Sequence, residues 1–145
     1  MKTTFSIRWL LVASVVGMAC GIILAQKPVP LSTLPFSPAR RAGEAVYVSG
    51  QIARTADGKD VKESVEAETR QVMDNLGAIL ARNGCSFDDV VNATVYLKNI
   101  DDYAEMNKVY ARYFKGTFPA RACVGGVDLV FGFKVEISCV AHRLK

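Results

Sequence analysis

Apolar residues recur at every second position of the run Phe133-Lys134-Val135-Glu136-Ile137-Ser138-Cys139-Val140-Ala141-His142. A period of two is typical of a β-strand that buries one of its faces. Val135, Ile137 and Cys139 fall on the buried side, so Glu136 points to the opposite side. The run therefore predicts a half-buried strand with a carboxylate on its less buried face.

The rest of the chain contains further strand-like and helix-like runs. β-Branched and aromatic residues concentrate in three segments, and we predict strands at residues 45–52, 88–97 and 121–127. Residues 61–82 carry apolar side chains at helical spacing, and Asn83-Gly84 follows as a helix stop. This segment is predicted to be a long helix.

The periods also predict which side chains face the core. In the strand at 88–97, we expect one side to bury Val91, Ala93, Val95 and Leu97. A second helix is expected to begin at an Asp101 cap and to end at Lys115-Gly116. Its inward residues are expected to be Tyr103, Met106, Tyr110 and Phe114.

The order strand, helix, strand, helix, strand, strand predicts an α+β domain with both helices on one face of a sheet. The other face is expected to combine Val140 and a tyrosine with Arg121 and Glu136. Such a mixed surface needs a cover, and the chain has no third helix to provide one. We therefore expect oligomerisation, with a concave site at the seam between subunits.

Length and charge restrict the function. The 145 residues, half of them hydrophobic, suit a single domain. The net charge is +4, but residues 26–145 hold 16 Lys and Arg against 14 Asp and Glu. Since no basic cluster is interleaved with aromatic residues, a nucleic-acid partner is not expected.

The first 25 residues have the pattern of an export signal. Lys2 and Arg8 precede an uncharged, mostly apolar stretch at residues 9–25, and cleavage after Ala25 fits this pattern. A retained membrane anchor through residues 9–25 is one alternative, and a lipoprotein modified at Cys20 is another. Recovery of Gln26 as the first residue of a soluble protein would favour cleavage. We predict a periplasmic or secreted protein, a proline-rich linker at residues 26–35 and a domain at residues 36–145.

Arg121 and Glu136 are the candidate catalytic residues. A guanidinium holds a carboxylate through two parallel hydrogen bonds, and a half-buried Glu can take or lend a proton. The pair suggests chemistry on a small acid, although a salt bridge or a solvated Glu136 would also fit the sequence. Cys123 is a weak candidate nucleophile because His142 is the only histidine, and no metal-ligand spacing is present.

Several ordered motifs resemble the Rid family of reactive-intermediate deaminases, also called the YjgF family. One is Phe118-Pro119-Ala120-Arg121-Ala122-Cys123-Val124, and the others lie at residues 46–52, 68–76, 95–97, 102–110 and 135–137. The resemblance covers about residues 35 to 144. It implies a chorismate-mutase-like fold with a mixed sheet, and a homotrimer with sites at its subunit interfaces.

The resemblance also implies an activity, which is hydrolysis of enamine or imine intermediates to 2-oxo acids and ammonia without a metal or organic cofactor. Arg121 would hold the substrate carboxylate, and Glu136 would activate the attacking water. Further substrate-binding positions would be Ser49, Gly50, Asn107, Cys123 and Phe36.

Two departures from the family pattern leave the substrate open. Many members have a tyrosine thirteen residues before the serine of the Ser-Gly-Gln motif, where this chain has Phe36. Residues 125–130 replace a stretch that usually contains Leu-Pro. The alternatives are an exported, non-catalytic ligand-binding or chaperone-like trimer and, with less support from the charge, an endoribonuclease.

Overall fold

The computed structural model describes residues 35–143, which form a five-stranded sheet and two α-helices. In chain order the elements are β1 (Ala39–Ala42), β2 (Ala45–Ile52), α1 (Val65–Arg82), β3 (Val90–Leu97), α2 (Tyr103–Tyr110), β4 (Ala120–Gly125) and β5 (Val135–His142). None of the helices in this part of the chain is both long and apolar enough to cross a membrane. The predicted signal or anchor at residues 1–25 lies outside the described residues.

The strands are arranged in the order β1-β2-β5-β3-β4. β3 and β4 run parallel and are joined by a crossover that contains α2, whereas the other neighbouring strands are antiparallel. At the end of β5, the backbone N–H of Arg143 donates to the carbonyl of Glu44 at 3.1 Å, beside the start of β2. The predicted α+β fold, a mixed sheet with two helices on one face, is confirmed.

The core lies between the sheet and the helices. Alternate residues of the strands face α1 and α2, and the fully buried ones include Val46, Val95, Leu97, Val135 and Ile137. No element within residues 35–143 covers the opposite face of the sheet, where Tyr47 is 52% exposed. We call this the open face.

The structure adds β1, a strand near the start of the domain that the sequence analysis did not predict. Among residues 35–143, β1 pairs only with β2, so no described strand covers its outer edge. The proline-rich sequence before it hides the strand signal, and its Arg40 and Arg41 suit an edge strand. Arg41 also connects β1 to the first helix, because its guanidinium donates to the carbonyl of Asn83 at the end of α1.

The first helix begins four residues later than predicted. Ser64 is its N-cap and accepts a hydrogen bond from the N–H of Ala67 at 3.0 Å. The predicted stop is confirmed, since α1 ends at Arg82 and Asn83 is the C-cap.

The prediction that Val91 is buried is wrong. The register between β3 and β5 shifts between Val90 and Asn92, which is a bulge in the ladder. Because the bulge resets the alternation, Val90 is buried whereas Val91 is 49% exposed. Ala93, Val95 and Leu97 beyond the bulge are buried as predicted.

The second helix differs from its prediction at both ends. Asp101 does not cap it: α2 begins at Tyr103, and Asn99 caps the preceding short 3-10 turn by accepting from the N–H of Asp101. The helix ends at Tyr110 and continues only as a 3-10 turn, Ala111–Tyr113. Met106 and Tyr110 face the core as predicted, but Tyr103 is 43% exposed.

A fully buried carboxylate joins α1 to the start of β5. Glu68 accepts hydrogen bonds from the backbone N–H of Lys134 at 2.6 Å and of Val135 at 3.3 Å. The ammonium of Lys134 lies 3.3 Å from the other carboxylate oxygen. Since these partners directly precede Glu136, the contact fixes where the strand bearing Glu136 begins.

We expect Glu68→Ala to lower the free energy of unfolding by about 3 kcal/mol, because it leaves one buried and one partly buried N–H group without an acceptor and removes the partner of the Lys134 ammonium. Denaturant unfolding monitored by circular dichroism measures this. Glu66→Ala is the matched control: Glu66 forms an exposed ion pair with Arg70 and should cost less than about 1 kcal/mol. Equal losses in the two variants would contradict this role of Glu68.

Candidate functional site

Arg121 lies on the edge strand β4, on the side of the sheet that faces the helices. Its register partner on β3 is Ala93, which is buried beneath the helices, and paired residues share a face. The guanidinium lies 4.7 Å from the centre of the Tyr110 ring and 5.7 Å from that of Tyr103. Its Nη2 also donates to the hydroxyl of Tyr103 at 3.3 Å. Cation–π contact on two rings thus holds Arg121 near α2.

Asn107 and Cys123 complete the Arg121 cluster, by which we mean Arg121, Tyr103, Asn107, Tyr110 and Cys123. Asn107 is half-buried and follows Tyr103 by four residues, so the two share a face of α2. Cys123 is a half-buried free thiol two residues after Arg121 on the same side of β4. Burial raises the pKa of the Cys123 thiol, with a smaller opposing effect of Arg121, so the nucleophilic thiolate is disfavoured.

Glu136 lies on β5 and points to the open face, as predicted. Its register partners are Ile52 on β2 and Tyr96 on β3. Burial raises the pKa of the Glu136 carboxyl above its ordinary value. A carboxyl shifted in this direction is better suited to exchanging a proton near neutral pH than a fully solvated one.

Gly50 makes room for the Glu136 carboxyl. The register of β2 against β5 shifts between Val48 and Gln51, which places Gly50 in a bulge. A Cβ atom at Gly50 would lie 2.0 Å from Oε1 of Glu136. The absence of a side chain at residue 50 is therefore a condition for the observed position of the carboxyl.

Ser49 has a structural role beside Gly50. Its hydroxyl donates to the carbonyl of Pro38 at 3.1 Å and accepts from the side-chain amide of Gln51 at 3.2 Å. Its backbone N–H donates to the same Pro38 carbonyl at 3.0 Å. Phe36, two residues before Pro38, is 54% exposed. Glu136, Gly50 and Ser49 form what we call the Glu136 cluster.

The two clusters lie on opposite faces of the sheet. Sequence analysis placed Arg121 and Glu136 on one face, and the parallel register of β4 on β3 shows that this is wrong. They are separated by two strand spacings and three residues along the strands, about 14 Å in the sheet. No ion pair joins them among the described residues. One chain therefore does not bring them together around a small ligand.

Another concave surface in the described chain does not contain Arg121 or Glu136 either. A shallow cavity of about 470 Å³ is lined by residues outside both clusters: Lys98, Asn99, Asp102, Gly132 and Lys134. Within residues 35–143, His, Cys, Asp and Glu side chains form no group of three that could hold a metal ion. The functional groups available in the two clusters are the guanidinium of Arg121, the hydroxyl groups of tyrosine and serine, and the carboxyl of Glu136.

Sequence analysis missed the roles of Tyr103 and Tyr110 at Arg121. Both were expected to serve only as inward residues of a helix. Tyr110 is 4% exposed, and its hydroxyl is buried without a hydrogen-bond partner among the described residues. Burial raises the pKa of Tyr110 to about 12, against a smaller opposing effect of Arg121, so the hydroxyl keeps its proton. Helical spacing alone does not reveal that an arginine on a later strand lies against these rings.

Comparisons with known proteins agree with this fold. A family model described as endoribonuclease L-PSP matches residues 26–143. The 2-iminobutanoate/2-iminopropanoate deaminase of Bos taurus is 38% identical over 120 residues, which cover 82% of this chain and 88% of the relative.

Two solved structures from E. coli share the fold. The YjgF gene product has a TM-score of 0.73 at 34% identity, and TdcF with bound serine has a TM-score of 0.73 at 30% identity. Each match covers 76% of this chain and 89% of the solved chain. The matched family model, the deaminase relative and the shared fold lead to one conclusion: the chain belongs to the Rid (YjgF) family, whose model is described as endoribonuclease L-PSP.

Proposed function

We propose that this protein hydrolyses 2-imino acids and their enamine tautomers, of the 2-aminoacrylate or 2-iminobutanoate type, to 2-oxo acids and ammonia. The observation that carries the proposal is the position of Glu136, a half-buried carboxyl with a raised pKa that is held over Gly50. The name of the bovine relative supports the reaction class. The proposal requires no cofactor.

Arg121 binds the substrate in this proposal. Its charge lies against two aromatic rings, and only one of its five N–H donors is used by Tyr103. The remaining donors can hold a carboxylate through a bidentate contact, which selects acids over neutral analogues. Asn107 and Cys123 line the same side, the cysteine through its backbone.

Glu136 activates water. The carboxylate accepts a proton from a water molecule as the water oxygen forms a bond to the imine carbon. The resulting carboxyl returns that proton to the nitrogen, which gives a carbinolamine. The Glu136 carboxylate then passes the hydroxyl proton of the carbinolamine to the same nitrogen, the carbon–nitrogen bond breaks, and ammonia leaves as the carbonyl of the 2-oxo acid forms. An imine carbon is already electrophilic, so orientation and proton transfer supply most of what the reaction needs.

We propose that two copies of the chain complete each site, one through its Arg121 cluster and the other through its Glu136 cluster. The open face supports this because it carries the exposed side chains of Tyr47 and Val124 as well as Glu136, and it has no cover within residues 35–143. A cyclic homotrimer would repeat this contact three times, with one site at each interface.

The direct test supplies the protein with 2-iminobutanoate formed in situ by an amino-acid oxidase and measures ammonia release. We expect Arg121→Ala to lower kcat/KM about 100-fold, mainly through KM, because the carboxylate loses its charged partner. Arg112→Ala is the control, since Arg112 is an exposed arginine outside both clusters. Unchanged kinetics in Arg121→Ala would exclude the carboxylate-binding role.

The same assay separates the alternatives. An exported, non-catalytic ligand-binding or chaperone-like trimer would release no ammonia above the spontaneous rate. An endoribonuclease, the activity in the family description, would cleave RNA in a manner that Arg121→Ala and Glu136→Gln abolish. RNA cleavage that survives both substitutions would come from another site or from a contaminant.

A further inference from the structure

The hydrogen bond between Arg121 and Tyr103 has only one possible direction. A guanidinium has donors and no acceptor, so the Tyr103 oxygen accepts the bond from Nη2 at 3.3 Å. The phenolic proton of Tyr103 is therefore free to donate to another group. Tyr103 is 43% exposed, which leaves its hydroxyl accessible to a ligand.

The geometry of a guanidinium places such a ligand next to Tyr103. Nη2 carries two N–H bonds, and each belongs to a different two-donor edge of the group. When Tyr103 takes one of them, the other edge, which also contains Nη2, remains complete. A carboxylate on that edge then lies beside the nitrogen that contacts Tyr103.

The surroundings of Arg121 favour an acceptor as the ligand. The Tyr103 O–H is an uncommitted donor, the guanidinium keeps four donors, and the buried hydroxyl of Tyr110 has no partner among residues 35–143. The cluster therefore holds an excess of donors, which suits an anionic group with several lone pairs.

We propose that Tyr103 is a substrate-binding residue whose O–H donates to the carboxylate held by Arg121, as a third hydrogen bond beside the bidentate contact. The inference rests on the proposed imine hydrolysis for the identity of its ligand. Tyr103 acts on binding and takes no part in proton transfer at the imine carbon.

The test compares Tyr103→Phe with wild type in two measurements. Turnover of 2-iminobutanoate should show KM raised about tenfold with kcat nearly unchanged, as expected for a lost hydrogen bond to a charged group. Calorimetric binding of the product 2-oxobutanoate, which needs no turnover, should show Kd raised by a similar factor.

Tyr113→Phe is the matched control. Its hydroxyl donates to Asp74 at 2.8 Å, away from Arg121, so this substitution should lower stability and leave KM and Kd unchanged. An unchanged Kd for 2-oxobutanoate in Tyr103→Phe would overturn the inference, as would a wild type that does not bind this acid. Wild-type binding without turnover, weakened in Tyr103→Phe, would support the role of Tyr103 and refute the proposed hydrolysis.

Discussion

A mixture of two impaired variants, Arg121→Ala and Glu136→Gln, is expected to recover about a quarter of the wild-type kcat/KM for imine hydrolysis when equal amounts are unfolded and refolded together, with substrate kept well below KM. The reason is the placement of the two residues on opposite faces of one sheet. If each site takes Arg121 from one copy and Glu136 from another, random assembly leaves both residues intact at some interfaces. Ammonia release from 2-iminobutanoate measures the recovery.

A second mixture serves as the control. Wild type refolded with an equal amount of the double variant Arg121→Ala/Glu136→Gln should also give about a quarter of full activity for shared sites, but about half for sites within one chain. Native mass spectrometry confirms that mixed oligomers have formed. Mixed oligomers without any recovery in the first mixture would show that one chain supplies both residues.

Gly50→Ala is expected to lower kcat about 100-fold while the protein remains folded. The added Cβ would lie 2.0 Å from Oε1 and 2.9 Å from Cδ of Glu136, so the carboxyl must move away. These atoms belong to the end of a flexible side chain, and the backbone of Gly50 does not have a positive φ. A displacement of about 1 Å of a catalytic group commonly costs this much in rate.

Gly116→Ala provides the comparison for that variant. A Cβ at Gly116 meets nothing within 4 Å, and its φ is also outside the left-handed region. Turnover should therefore match wild type, and thermal unfolding followed by circular dichroism should show both variants folded. If Gly50→Ala keeps the wild-type kcat, the observed position of Glu136 is not the one that activates water.

The fold was predictable because its elements obey simple periods. The strand at residues 45–52 and the inward side of β5 agree with their predictions, and so does the end of α1. The errors arise where a local feature interrupts the period. The bulge between Val90 and Asn92 buries Val90 and exposes Val91, the reverse of what the period predicts. The prolines before β1 obscured its strand pattern.

The candidate site was predictable in its residues but not in its geometry. Alternation along β5 was enough to assign Glu136 to the open face. The face of Arg121 depends on the register of β4 against β3, a long-range pairing that the sequence of β4 alone does not specify. The roles proposed for Arg121, Glu136 and the residues around them remain predictions until the variants are measured.

The position of Glu68 in the helical pattern of α1 could have predicted that its carboxylate is buried. It lies three residues after Val65 and four before Val72, in the middle of the apolar stripe of α1. A carboxylate at such a position needs buried donors, and the start of β5 supplies them. Which strand would do so could not be inferred from α1 alone.

The bond between Pro38 and Ser49 has a practical consequence for handling the protein. It fixes the entry of the chain into the domain beside Gly50, and hence beside the Glu136 carboxyl. The exit at Arg143 is bonded to Glu44, five to six residues along β2 and about 20 Å away. Affinity tags and fluorescent fusions should therefore be attached at the carboxyl terminus, where their bulk lies farther from the Glu136 carboxyl.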